Sequence, residues 1–160
     1  MLRVIAIDLD RVEHRDALVA LLDQYASGPE GGAKPLSAPV REQLPGLLAA
    51  TPHYRGWLAF LDGEAVGLMN CFAGVSTFRA RPLLNIHDIT VDPRYHRRGV
   101  GSALLAALDE VVRSEGYCKI TLEVLEGNIA ATQAYRKAGF VPYGLDPALG
   151  AARFLEKPFD

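Results

Sequence analysis

Apolar and polar positions follow two periods along this chain of 160 residues, and the period switches several times. The clearest helical stretch begins at Val100, after which apolar residues recur at 103, 104, 107, 108, 111 and 112, the spacing of one buried helical face. It predicts a helix over 99–115. Upstream, a first strand at 3–8 leads into a helix whose Val12, Ala17, Leu18, Leu21, Leu22 and Tyr25 form a stripe. Ser27-Gly28-Pro29-Glu30-Gly31-Gly32 ends that helix. A second helix starts near Ser37 and carries Val40, Leu44, Leu47 and Leu48, with Pro45 and Gly46 working against it.

Residues 57–61 and 64–75 read as strands joined by Asp62-Gly63, a tight hairpin signal. After a basic loop from Phe78 to Pro82 come a strand at 83–91, the helix at 99–115, a strand at 118–125 and a helix at 128–138, then strands at 140–144 and 151–157. No repeat or linker-like segment divides this series. It predicts one α/β domain over residues 1–160, a mixed sheet of about seven strands with about four helices.

The junction between the strand at 83–91 and the long helix carries candidate chemistry. Asp92-Pro93-Arg94-Tyr95-His96-Arg97-Arg98-Gly99-Val100-Gly101-Ser102 is a basic, glycine-bearing turn at a helix start. The first turn of a helix leaves backbone N–H groups unsatisfied at the positive end of the macrodipole, so an anion over residues 97–102 meets donors aimed at it. Three phosphate loops compete. The nucleoside-triphosphate loop is excluded, because no Gly, four residues, Gly, Lys and Ser or Thr occurs in the chain. The dinucleotide fingerprint fits Gly99-Val100-Gly101 but meets Leu104 where its third glycine belongs, with Asp92 to Arg98 intervening after the strand. A coenzyme A pyrophosphate loop is the third.

The string His96-Arg97-Arg98-Gly99-Val100-Gly101 resembles the signature of the GNAT superfamily of N-acetyltransferases, Gln or Arg, two residues, Gly, one residue, Gly or Ala. His96 departs from the usual first residue. The resemblance continues in Asn128, Ala131, Tyr135, Gly139 and Phe140, in the family's N-x-x-A-x-x-x-Y-x-x-x-G-F pattern, and spans residues 57–142. It implies the GNAT fold, with a mostly antiparallel sheet, and acetyl-CoA as cosubstrate without a metal. Pantetheine would extend along the strand at 85–91, pairing with backbone of Ile89 and Val91 beside Thr90, while backbone amides from His96 to Ser102 receive the phosphates. The resemblance further implies that Asn128 would contact the cofactor and that Tyr135 would act as general acid toward the departing thiolate.

Attack of an amine on a thioester needs a proton acceptor as well. Strict alternation along 85–91 puts Asn85, His87, Ile89 and Val91 on one face and Ile86, Asp88 and Thr90 on the other. Imidazole titrates near neutrality, so His87 is the first candidate base and Asp88 the reserve. Asn128 and Tyr135, seven residues apart, lie on nearly the same side of their helix, about 10 Å apart along it. Asn128 also suits a helix N-cap, and Tyr135 suits packing beside Ala131 and Ala138.

Composition narrows the partners. A net charge of -2 argues against a nucleic-acid surface, and no apolar run is long enough for a membrane span or a signal peptide core. A cytoplasmic protein is expected, with Cys71 and Cys118 as reduced thiols. Trp57, Phe72, Phe78 and Tyr143 are candidates for an aromatic acceptor cleft. The acceptor itself, a small molecule or a protein amine, is not specified by any motif. Phe154, Leu155 and Phe159 offer apolar material for a homodimer. The expected activity is acetyl transfer to a primary amine; the alternative is a sensor or scaffold domain that binds acyl-CoA without turnover.

Overall fold

A computed structural model describes residues 1–159. They fall into two compact units, Met1–Leu122 and a segment that begins at Glu123.

In the first unit, β1 (Leu2–Ala6), β2 (Tyr54–Leu61), β3 (Glu64–Ser76), β4 (Arg81–Val91) and β5 (Ile120–Leu122) form one sheet in that order. All neighbours are antiparallel except β4 and β5, which run parallel. The β2–β3 hairpin forms at Asp62-Gly63, where φ is 52° and 91°, the positive values a type I′ turn requires. Helices α1 (Val12–Ser27) and α2 (Ala38–Ala49) cover one face, where Leu18, Leu21 and Leu48 pack with Leu58 and Leu68. Pro45 lies inside α2 and is buried, so packing of Leu44 and Leu48 carries the helix past the hydrogen bond that proline removes. On the other face, α3 (Val100–Glu115) buries Val100, Leu104, Leu105 and Leu108, the stripe its periodicity predicts. It is the crossover that a parallel β4–β5 pair needs.

Alternation fails in β4. Asn70 pairs with Asp88 but the next residue, Cys71, pairs with Ile86, so His87 is the extra residue of a β-bulge. Paired residues share a face, so Asp88 lies on the face of Asn70, and Asn85 on that of Phe72. His87 packs its ring edge-on against Phe72 at 5.5 Å. His87 and Asp88 therefore both present to the α1/α2 side, against the opposed faces that alternation predicts. The β5 ladder stops at Ile86–Leu122, just before the bulge, so the strand expected over 118–125 is three residues long.

The second unit contains α4 (Ile129–Lys137) and a short 3₁₀ turn at Pro147–Leu149. The strands predicted at 140–144 and 151–157 are not formed, which leaves five strands among the described residues rather than seven. Apolar patterning alone does not supply a ladder partner, and Pro142, Gly144, Pro147 and Gly150 interrupt the stretch.

Candidate active site

The turn between β4 and α3 is held from beneath by an ionic lattice. Asp92 is buried; its Oδ1 accepts from Arg94 N at 2.9 Å, and its Oδ2 accepts from Arg94 Nη2 at 2.7 Å. The same Nη2 donates to Glu64 Oε1 at 2.6 Å, and Tyr95 Oη donates to Glu64 Oε2 at 2.7 Å. Glu64 opens β3, and Asp92 N donates to Val66 O at 2.9 Å, so the exit of β4 is pinned to the start of its neighbour. The Arg94 hydrogen bonds hold the Asp92 carboxyl below its usual range despite burial, and the Tyr95 hydroxyl, then Arg94, do the same for Glu64. The Arg94 and Arg98 guanidiniums each lie 5.4 Å from the Tyr95 ring centre.

Above this lattice the backbone turns through two left-handed residues, Arg97 at φ 60° and Gly99 at φ 82°. Gly99 has open space where a side chain would project, and it takes the N-cap position of α3. Among the described residues, no backbone carbonyl accepts from the amides of residues 97–102, whereas Ala103 N donates to Gly99 O at 2.9 Å. Arg97 and Arg98 are exposed, and Arg97 makes no hydrogen bond or ion pair among the described residues. Ser102 is exposed; Val100 is buried against Gly67, so it can offer a ligand only its backbone.

The edge of β4 leads toward the turn. Because Asp92 N points to β3, alternation of backbone groups leaves those of Ile89 and Val91 on the outer edge, with Thr90 turned inward. Beyond Ile86 no strand covers that edge among the described residues. The Val91 carbonyl is already engaged by His96 Nε2 at 2.9 Å, so this side of Val91 keeps its amide alone for a ligand. That contact also gives His96 a job at the position where the signature carries Gln or Arg: it ties the turn to the strand.

At the bulge, His87 is exposed and Asp88 half-buried. Asp88 Oδ2 accepts from Asn70 Nδ2 at 3.0 Å, and Asn70 Oδ1 accepts from Tyr54 Oη at 2.9 Å. Phe72 packs against Tyr54 and His87. Sequence reasoning missed Tyr54 and Asn70. The available signal was Asn70 itself, a polar residue inside the apolar run Val66–Cys71, where an amide needs a partner. Trp57 is buried on the α3 side of the sheet, while Phe78 is almost fully exposed. Burial and then the Asp88 charge push the Cys71 thiol up to about 12, which fits an inert core residue.

Asn128 and Tyr135 belong to the second unit. Asn128 is the N-cap of α4, its Oδ1 accepting from Ala131 N at 3.1 Å. Tyr135 is half-buried with its ring 5.7 Å from that of Phe140. Among the described residues no group of His, Cys, Asp and Glu has the arrangement of a metal site, and no helix is long and apolar enough to cross a membrane.

The sequence model of the Acetyltransferase (GNAT) family matches residues 18–140, which take in the bulge, the turn and α4. The chain belongs to the GNAT acetyltransferase family. It is 38% identical over 88 residues to streptothricin acetyltransferase of Streptomyces lavendulae, a match that covers 55% of this chain and 44% of that protein. It is 37% identical over 98 residues to the N-alpha-acetyltransferase RimI of Mycobacterium tuberculosis, covering 60% and 58%. The chain thus spans about half the length of the curated relatives it matches. Among solved structures, an aminoglycoside acetyltransferase from an uncultured soil metagenomic sample, in complex with sisomicin, superposes with a TM-score of 0.79 at 17% identity, covering 99% of this chain and 97% of that one. AAC(6')-Iy in complex with the bisubstrate analogue CoA-S-monomethyl-acetylneamine gives 0.76 at 16% identity, covering 99% of each chain. At such identities the likeness is one of GNAT fold.

Proposed function

We propose that this GNAT chain transfers the acetyl group of acetyl-CoA to a primary amine by direct attack. The observation that carries the reading is the turn at 97–102, where six consecutive backbone amides have no backbone acceptor and two arginines stand free of the core. Helix N-termini of this kind receive phosphate through backbone donors and the macrodipole. Pantetheine runs from there along the outer edge of β4, meeting Ile89 and the amide of Val91, with Asn128 as a further contact.

In the proposed reaction the protonated amine gives up one proton to the base, its nitrogen attacks the thioester carbonyl, the C–S bond breaks, the nitrogen sheds a second proton as the amide forms, and the sulfur leaves as a thiolate that takes a proton. His87 is the base, with Asp88 in reserve, and Tyr135 is the acid. The family match crosses from one compact unit into the other, which supports one functional domain over residues 1–160. A cytoplasmic setting suits two cysteines that form no disulfide. We also propose a homodimer through Phe154, Leu155 and Phe159, all strongly exposed; light scattering that returns about 17 kDa, the monomer mass, overturns it.

The test is release of free CoA from acetyl-CoA across a panel of amines, with mass spectrometry of the acetylated product. Amine-dependent release supports transfer. Saturable acetyl-CoA binding with no release for any amine points instead to a sensor domain.

A further inference from the structure

The α1/α2 side of the sheet carries a hydrogen-bond chain, two of whose three members, Tyr54 and Asn70, the acetyl-transfer scheme leaves unused. Tyr54 Oη donates to Asn70 Oδ1, and Asn70 Nδ2 donates to Asp88 Oδ2. Its polarity is set by its last member. An ionised carboxylate only accepts, so Asn70 turns its NH₂ toward Asp88, its carbonyl is left facing Tyr54, and the phenol has to donate. Burial first, with the Asp88 charge adding to it, pushes that phenol well above its usual range, so it remains a donor at physiological pH. Gly56 pairs across from Asn70, and a Cβ there would fall 2.1 Å from Tyr54 Oη. The glycine makes room for the chain.

The carboxylate at the end is held by a neutral donor and has no paired counter-charge among the described residues. Asp88 is half-buried and forms no ion pair among the described residues. Its charge reaches α1 as well: burial first, then Asp88 and Glu30, hold the Tyr25 phenol above its usual range. On the same face of the sheet stand the rings of Tyr54, Phe72 and His87, within 5.7 Å of one another in succession. A partly desolvated carboxylate beside aromatic rings attracts a cation by charge and by the ring quadrupole together. Asp88 Oδ1 has no partner of its own among the described residues.

We infer that Tyr54 and Asn70 are positioning residues that aim the Asp88 carboxylate so that its second oxygen takes an ammonium group of the acceptor. The site is thereby selective for amines that arrive as cations. This rests on the acetyl-transfer reading, which supplies the acceptor.

Two experiments keep the inference and that reading apart. The first needs no turnover: methylammonium chloride is titrated into the full chain while the Asn70 side-chain amide is followed by NMR, with sodium chloride at equal ionic strength as control. A saturable shift that disappears in Asp88→Asn is expected. A response equal to that of sodium chloride, or one unchanged in Asp88→Asn, overturns the ammonium site. The second uses whichever primary amine releases most CoA. Tyr54→Phe keeps the ring against Phe72 and deletes only the donor, so the acceptor KM should rise roughly tenfold while the acetyl-CoA KM and melting temperature hold. Asn70→Leu should exceed it. Equal changes in both KM values, or none in Tyr54→Phe, overturn the positioning role. If no amine releases CoA the acetyl-transfer reading fails, and the methylammonium titration alone decides the site at Asp88.

Discussion

Two segments on either side of Asp92 differ in what builds them. The turn at 96–101 is local: two left-handed residues, one a glycine, followed at once by a periodic helix, determine which way its amides point. The bulge at Ile86–Asp88 depends on a partner strand, because only the register against Asn70 and Cys71 reveals that His87 is an extra residue. The first kind of site is written in consecutive residues. The second is written in pairing, and it decides which face His87 and Asp88, the proposed base and its reserve, occupy. The proposed cofactor grip can therefore be read from one stretch of chain, whereas the proposed acceptor site needs the sheet.

Substitutions at the two segments, and at Tyr135 on α4, should fail in different ways. The largest expected effect is on chemistry. Tyr135→Phe keeps the ring against Phe140, so acetyl-CoA binding should persist while kcat falls by about 10²- to 10⁴-fold, the usual range for positioned proton transfer. Wild-type turnover in Tyr135→Phe would remove the acid. His87→Gln keeps size and hydrogen bonding without titration; its loss should be greatest near neutrality and shrink at alkaline pH, where solvent deprotonates the amine. A wild-type acidic limb in that variant would make His87 structural and pass the role to Asp88.

The turn should fail in binding instead. Gly101→Glu has room, its Cβ meeting only Val91 at ordinary distance, so the fold should hold while a carboxylate enters the anion site. Calorimetry should show acetyl-CoA affinity lost at unchanged melting temperature. Gly99→Glu should lose binding too, but with added strain of about 1–2 kcal/mol from a side chain at positive φ. Wild-type affinity in both variants would move the phosphate site elsewhere.

Several parts of this were legible beforehand for physical reasons. Asp62-Gly63 encodes its hairpin because both residues tolerate positive φ, and the apolar stripe from Val100 encodes the helix that covers one face. Asn128 is the cap its residue type suggests. The Tyr54–Asn70–Asp88 chain was not legible, since it joins three strands and needs Gly56 to leave space. Nor was the lattice beneath the turn, in which Glu64 reaches back from a hairpin to Arg94 and Tyr95. At 140–144 and 151–157 the expected strands rest on local apolar residues such as Phe140, Val141, Phe154 and Leu155, and apolar content is satisfied equally by chain that pairs with nothing.

The smallest effect concerns that lattice. Asp92 is held below its ordinary carboxylate range by Arg94, so it stabilises the fold above that range, and the stability is lost as pH falls through it. Thermal melts from about pH 6 to about pH 3, a span that brackets carboxylate titration, should fall less steeply in Arg94→Ala than in wild type. Parallel slopes would mean that Arg94 does not couple the turn to pH.

The central claim, a polyphosphate grip at the β4–α3 turn, is tested most directly by titrating acetyl-CoA and S-acetylpantetheine into the same protein. The two ligands share thioester and pantetheine, and only the first carries the nucleotide phosphates. If the amides at 97–102 and the free Arg97 bind phosphate, acetyl-CoA should be preferred by at least about a hundredfold, a difference of roughly 2.7 kcal/mol, and Gly101→Glu should erase most of that preference. Equal affinity for the two ligands in the wild-type chain would contradict the account.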